Sequence, residues 1–203
     1  SGLSFEINKI SGVLNYNSDI GFHRDYTYLT GTVNWNTYKA TFLNSWGGVI
    51  TSGNFNNLTI NKATYSLVIT NTCTVNGNLI VTAWVTSSST SNLEVKGDIT
   101  FNSSTSVGTN TIIANGTGTQ NVSGTGGCPI NFEINKVAGQ LNFTTNLSFF
   151  QGYNKVAGVV NWNTNKATFA LGSHITISNG SFYDMEIIKT SAYTLTIAGS
   201  DII

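Results

Sequence analysis

His23, Arg24 and Asp25, with Asp19 four residues upstream, form the most reactive-looking group in this 203-residue chain. A histidine beside carboxylates could act as a general base or acid. His-Arg-Asp also occurs in the kinase catalytic loop, but no phosphate-cradling glycine motif or strand lysine accompanies it here. The nine acidic residues are otherwise scattered. Asp98, Asp184, Asp201, Glu94 and Glu186 show neither the pairing of glycosidase carboxylates nor calcium-loop spacing. No enzyme is expected, no metal-ligand set is visible, and no cofactor is implied. Four tryptophans are the remaining chemical handles. Trp46 and Trp84 lack a packing partner in the sequence pattern, which makes them candidate surface-binding aromatics able to stack on a sugar. Thr-x-Thr triplets such as Thr72-Cys73-Thr74 are not spaced by one common period, so a flat ice-binding face is not expected.

Trp35 and Trp162 read differently, because the sequence around them repeats. Gly31-Thr32-Val33-Asn34-Trp35-Asn36-Thr37 returns as Gly158-Val159-Val160-Asn161-Trp162-Asn163-Thr164, and Phe5-Glu6-Ile7-Asn8-Lys9 returns as Phe132-Glu133-Ile134-Asn135-Lys136, both 127 residues on (132 − 5). A finer period of 19 lies inside each copy: Gly12-Val13-Leu14-Asn15-Tyr16 matches Gly31-Thr32-Val33-Asn34-Trp35. The second copy loses His23, Arg24 and Asp25 to Phe150, Gln151 and Gly152, and carries Asn146 where the first has Asp19. The fold therefore does not need the His-Arg-Asp group.

Nested periods of this kind point to stacked coils. The segments alternate apolar and polar residues, as in Val33-Asn34-Trp35-Asn36, so each is a short strand with one buried face. A 19-residue coil has room for three such strands and three turns, and parallel stacking pairs each with the coils above and below. The expected fold is all-β: a parallel β-solenoid (β-helix) of ten or eleven coils, one domain over 1–203. Copy one of the 127-residue super-repeat covers 1–127 and a partial copy two covers 128–203. The ratio of 127 to 19 is not a whole number, which suggests insertions in the Ser/Thr/Gly-rich stretches 86–91, 102–111 and 116–127. A pair of β-sandwich modules is the structural rival, and it leaves the 19-residue identity unexplained.

In a solenoid, Trp35 and Trp162 stack on Tyr16 and Phe143 of the preceding coil, in the core. Asn15, Asn34, Asn142 and Asn161 share the opposite face, with Asn36 and Asn163 extending the row, and could form amide ladders. Cys73 and Cys128 lie nearly three coils apart, more than about 10 Å along the axis, so two buried free thiols are expected rather than a bridge.

Charged residues make up 9% of the chain, against about 25% in ordinary soluble domains. Formal net charge is zero and no Lys/Arg run exists, so nucleic acid is not an expected partner. No apolar stretch approaches the roughly 20 residues of a membrane helix, so no membrane insertion is expected. Met185 is the one methionine and no leader is visible, so the chain reads as processed or as part of something longer.

Gly116-Thr117-Gly118-Thr119-Gln120-Asn121-Val122-Ser123-Gly124, followed by Phe132-Glu133-Ile134-Asn135-Lys136, resembles the Asn/Thr/Gly-rich β-solenoid repeats of large prokaryotic surface proteins, adhesin-like and cell-envelope. Tyr193-Thr194-Leu195-Thr196-Ile197-Ala198-Gly199 and Val75-Asn76-Gly77-Asn78-Leu79-Ile80-Val81 resemble other strands of that pattern. The resemblance implies an extracellular, cell-surface solenoid. Both termini fall inside the super-repeat without a polar cap, so end-to-end stacking is the expected function, as a stalk, fibre or filament subunit. The expected interface comprises Phe5, Ile7 and Lys9 against Leu195, Ile197, Ile202 and Ile203 of a neighbour. Partners are then copies of the chain or further repeats of the same protein. A glycan- or surface-binding module of an adhesin is the alternative.

Overall fold

Alternating short side chains and turn residues give a chain that can satisfy its backbone only by pairing with its own next coil. The computed structural model shows that arrangement for residues 3–43, 46–86, 91–102, 108–189 and 192–200. It is all-β, a parallel β-solenoid of about nine turns at a spacing of about 20 residues, slightly fewer and longer coils than the sequence suggests. Among the described residues no helix is long and apolar enough to cross a membrane.

Three columns of strands make three faces. Phe5, Tyr26, Ile50 and Ile69 stack on the first, which continues higher up through Cys128, Phe149, Phe169 and Ile187. Gly53, Cys73, Leu93, Ile112, Phe132, Tyr153, Ile177 and Ile197 stack on the second. Ile20, Ala40, Leu58, Leu79, Ile99, Val122 and Phe143 stack on the third. Steps between stacked partners vary from 18 residues (Ala40 to Leu58) to 24 (Tyr26 to Ile50). The slack is taken up at corners, where the backbone can bulge without unpairing a strand.

This topology gives the 127-residue period a different cause from insertions. Phe5 opens the first face, whereas its duplicate Phe132 lies on the second. Tyr26 and Tyr153 differ in the same way. The super-repeat is therefore six turns plus one face, and the second copy is wound about a third of a turn past the first. Of the three stretches expected to be loops, 116–127 contains the strand Gln120–Ser123, paired to Ile99–Phe101 below and Asn131–Phe143 above. The other two lie partly outside the described residues.

The inward rows form one continuous core along the axis. Trp35 and Trp162 are buried in it as expected, on Tyr16 (ring centroids 4.0 Å, planes 17° apart) and Phe143 (3.7 Å, 6°). Cys73 and Cys128 are free and fully buried, on different faces. Burial pushes both thiols up to about 12, since a thiolate would lose its hydration there. Both are expected to resist alkylation in native buffer at pH 8 and to react within minutes in denaturant; mass spectrometry showing rapid native labelling would contradict the packing.

Candidate functional site

In the His-Arg-Asp group, the Asp25 carboxylate and the His23 backbone tie neighbouring coils together. Asp25 accepts the Val49 amide on Oδ1 (3.0 Å) and the Ser4 hydroxyl on Oδ2 (2.6 Å), and the His23 carbonyl accepts a hydrogen bond from Lys62 (3.3 Å). Asp19 belongs to a ladder that sequence reasoning missed. Its Oδ1 accepts the Lys39 amide of the next coil (2.9 Å), as Asn57, Asn78 and Asp98 accept the amides of Asn78, Asp98 and Asn121. Asn146 repeats the Asp19 bond to Lys166 (2.8 Å). The signal was present: each of these residues directly precedes the first inward apolar residue of a strand, as in Asp19-Ile20, Asn57-Leu58, Asn78-Leu79, Asp98-Ile99 and Asn146-Leu147. Because the second copy makes the same bond with an amide, Asp19→Asn is expected to change stability by less than about 0.5 kcal/mol and Asp19→Ala to cost about 1 kcal/mol. Urea unfolding compares the two; equal losses would remove the ladder's role.

The asparagine row is only partly a ladder. Asn34 donates to Asn15 (3.0 Å) and Asn142 donates to Asn121 (3.3 Å). Asn36 and Asn163 do not extend the row. Both take left-handed backbone angles (φ 51 and 54), which Asn tolerates better than most residues, and donate to the Tyr16 and Phe143 carbonyls below (3.0 Å each).

Two lysines turn inward at bulged corners. In the Asn131–Phe143 strand, Asn135 and Gln140 oppose Ala157 and Val159 of the next coil, so the backbone between them bulges. Lys136 is buried there, and among the described residues no carboxylate pairs with it. Its Nζ donates to the carbonyls of Gly116 and Gly118 (2.9 Å to the latter) and to Gln120 Oε1 (2.8 Å), all in the coil below. Lys62 does the same for the Trp46 carbonyl (2.5 Å) and that of His23. Burial lowers the pKa of both lysines, and for Lys62 the Asp25 charge works against that.

Lys9 is the third member of the Ile-Asn-Lys set, and no hydrogen bond of its side chain is found among the described residues. The Phe5–Asn15 strand pairs on one edge, with Tyr26–Asn34 above. Its duplicate Asn131–Phe143 pairs on both edges. Phe5 is accordingly 38% exposed and Phe132 1%. Ile7 is already buried by its own coil. At the other end Leu195–Ala198 pairs with Ile175–Ser178 below, leaving Leu195 half-buried and Ile197 53% exposed. Of the expected interface, the structure places Phe5, Ile7 and Lys9 on one open edge and Leu195 and Ile197 on the other. Ile202 and Ile203 lie outside the described residues.

Trp46 is half exposed and stacks on Tyr65 (6.4 Å, 21°), an aromatic the sequence did not single out. Tyr65 stands on the bulge between Lys62 and Ser66, where the register jumps against Trp84 and Val85. Trp84 has its backbone in the Leu79–Thr86 strand, and its side chain lies outside the described residues. Ile10 and its duplicate Val137 protrude at the other two bulges.

No protein-family model, no curated protein and no solved structure matches the chain. Its class is defined by its own geometry: a parallel β-solenoid with open strand edges at both described ends.

Proposed function

We propose that the chain is a structural, extracellular β-solenoid: a segment of a cell-surface stalk, fibre or filament that joins end to end through its strand edges. One observation carries this reading. Among the described residues the Phe5–Asn15 strand pairs on one edge only, whereas a near-copy of it in the middle of the rod, Asn131–Phe143, is paired on both sides by coils of the same chain. An open edge with a half-exposed aromatic is a template for another parallel strand. The side walls, by contrast, present asparagine, threonine and serine whose bonds run along the axis to neighbouring coils. Size-exclusion chromatography with light scattering tests the reading. The mass is expected to rise with concentration in steps of one chain; a constant monomer mass up to millimolar concentration would refute it.

The exposed Trp46–Tyr65 pair supports a second reading, an adhesin module that binds glycans. Glycan-array binding that Trp46→Ala abolishes would favour it, and an array without hits would remove it.

A further inference from the structure

Resting on the glycan reading of the Trp46–Tyr65 pair, we propose that this corner of the rod binds an acidic sugar: the two rings stack on the sugar, and Arg24 takes its carboxylate.

Arg24 is the only arginine in the sequence. It is exposed at the corner where the Ile20–Phe22 strand of the third face turns into Tyr26–Asn34 of the first. One coil up the same corner carries Trp46, and the coil above that carries Tyr65. The three levels are tied to one another. A Cβ on Gly48 would come 2.7 Å from the Arg24 carbonyl, so the Arg24 backbone lies against the coil that holds Trp46. Buried Lys62 donates to the carbonyls of His23 (3.3 Å) and Trp46 (2.5 Å), which fixes the residue before Arg24 and the tryptophan on one nitrogen. The rings, 50% and 42% exposed, stand nearly parallel on successive coils. A platform held in this way loses little freedom when a ligand settles on it.

The second copy shows that the coil does not need these residues. It carries Gln151 for Arg24, Ser173 for Trp46 and Ile175 for Gly48. Tyr193 keeps the place of Tyr65 after a one-residue insertion, but it meets His174 edge-on (5.6 Å, 88°). Arginine, tryptophan and the glycine that lets their coils approach therefore occur together, in one copy only. Their chemistry is complementary to one class of ligand. The C–H face of a pyranose packs on aromatic rings. A guanidinium offers a planar fork that matches a carboxylate with two parallel hydrogen bonds. Asp25, the acid at this corner, turns its oxygens to the Val49 amide and the Ser4 hydroxyl.

Isothermal titration calorimetry of the intact chain tests the assignment. The acidic probes are oligogalacturonate, oligomannuronate and sialyllactose, each beside its methyl ester, and cello- and galacto-oligosaccharides are the neutral probes. At least one acid is expected to bind about tenfold or more tightly than its ester, which keeps the ring and removes the charge. Arg24→Gln is expected to weaken that acid about tenfold and to leave the ester unchanged. Arg24→Lys, which keeps the charge without the fork, recovers only part of the loss. Trp46→Ser is expected to abolish binding of either form. Arg24→Gln and Trp46→Ser install the residues of the second copy, so both chains are expected to keep the wild-type circular dichroism. Neutral sugars bound as tightly as acids, and lost in Trp46→Ser, would overturn the acidic preference and leave the glycan reading standing. Acid binding that survives Trp46→Ser would overturn the site, and no binding by any probe would overturn both readings.

Discussion

Lys136→Met is expected to lower the stability of the chain by about 2–4 kcal/mol, the cost of leaving buried acceptors without their donor. The Gly116 and Gly118 carbonyls and Gln120 Oε1 all converge on Nζ, and Lys136, Gly116 and Gln120 are buried. Methionine matches the stem in length and packing, so the loss reports the ammonium. Lys155→Met, on a half-exposed lysine one coil up, is expected to change stability by less than about 0.5 kcal/mol. Urea unfolding followed by tryptophan fluorescence measures both. A pH series separates charge from packing. Burial pulls the Lys136 pKa below the ordinary lysine value, so the unfolded chain holds this proton more tightly than the folded one. Stability is therefore reduced at neutral pH and recovers as pH rises through the folded pKa toward about 10.4. The buried tyrosines Tyr16 and Tyr26, raised by desolvation, act in the opposite sense only above about pH 10, where unfolded tyrosine ionises. As pH rises toward that value the wild type is expected to gain stability relative to Lys136→Met, and parallel curves would show that the ammonium carries no burial cost.

Gly139→Ala is expected to be at least as damaging, about 3 kcal/mol or more. Alanine in the left-handed region costs about 1–2 kcal/mol by itself. The added carbon would also press into the Gly118 carbonyl at 2.3 Å, and that backbone is pinned by Lys136. Gly12→Ala pays the conformational cost alone, because its side of the strand is open within the chain. A difference of about 2 kcal/mol between the two glycine variants, read from thermal or urea unfolding of dilute protein, is the expected result. Equal losses would mean that backbone angle, rather than the coil beneath, decides the cost.

How much of this was written in the sequence depends on whether the determining contact is local. Trp35 and Trp162 were legible as core because period-2 geometry put them on the same face as Val33 and Val160, and a matching aromatic lay one coil back. Coils and super-repeat were equally visible as identities at fixed offsets. What could not be read was the face on which each copy begins. The sequence period is identical whether a repeat closes on whole turns or overshoots by one face, and only the pairing of Phe132 with Ile112 on the second face distinguishes them. The inward turn of Lys62 and Lys136 was hidden for a related reason. A lysine after Ile-Asn reads as solvent-facing until the bulge that follows it turns the side chain onto carbonyls 16 to 39 residues away. Gln120–Ser123 was lost inside a Gly/Thr-rich run, because its single inward apolar residue, Val122, leaves too short a pattern to recognise.

Electron microscopy of negatively stained protein, from dilute to concentrated solution, tests most directly whether the strand edges join. A single chain of about nine turns is a rod on the order of 45 Å long. Unbranched rods several times that length at high concentration are the predicted result. Single particles near 45 Å at every concentration would contradict the account.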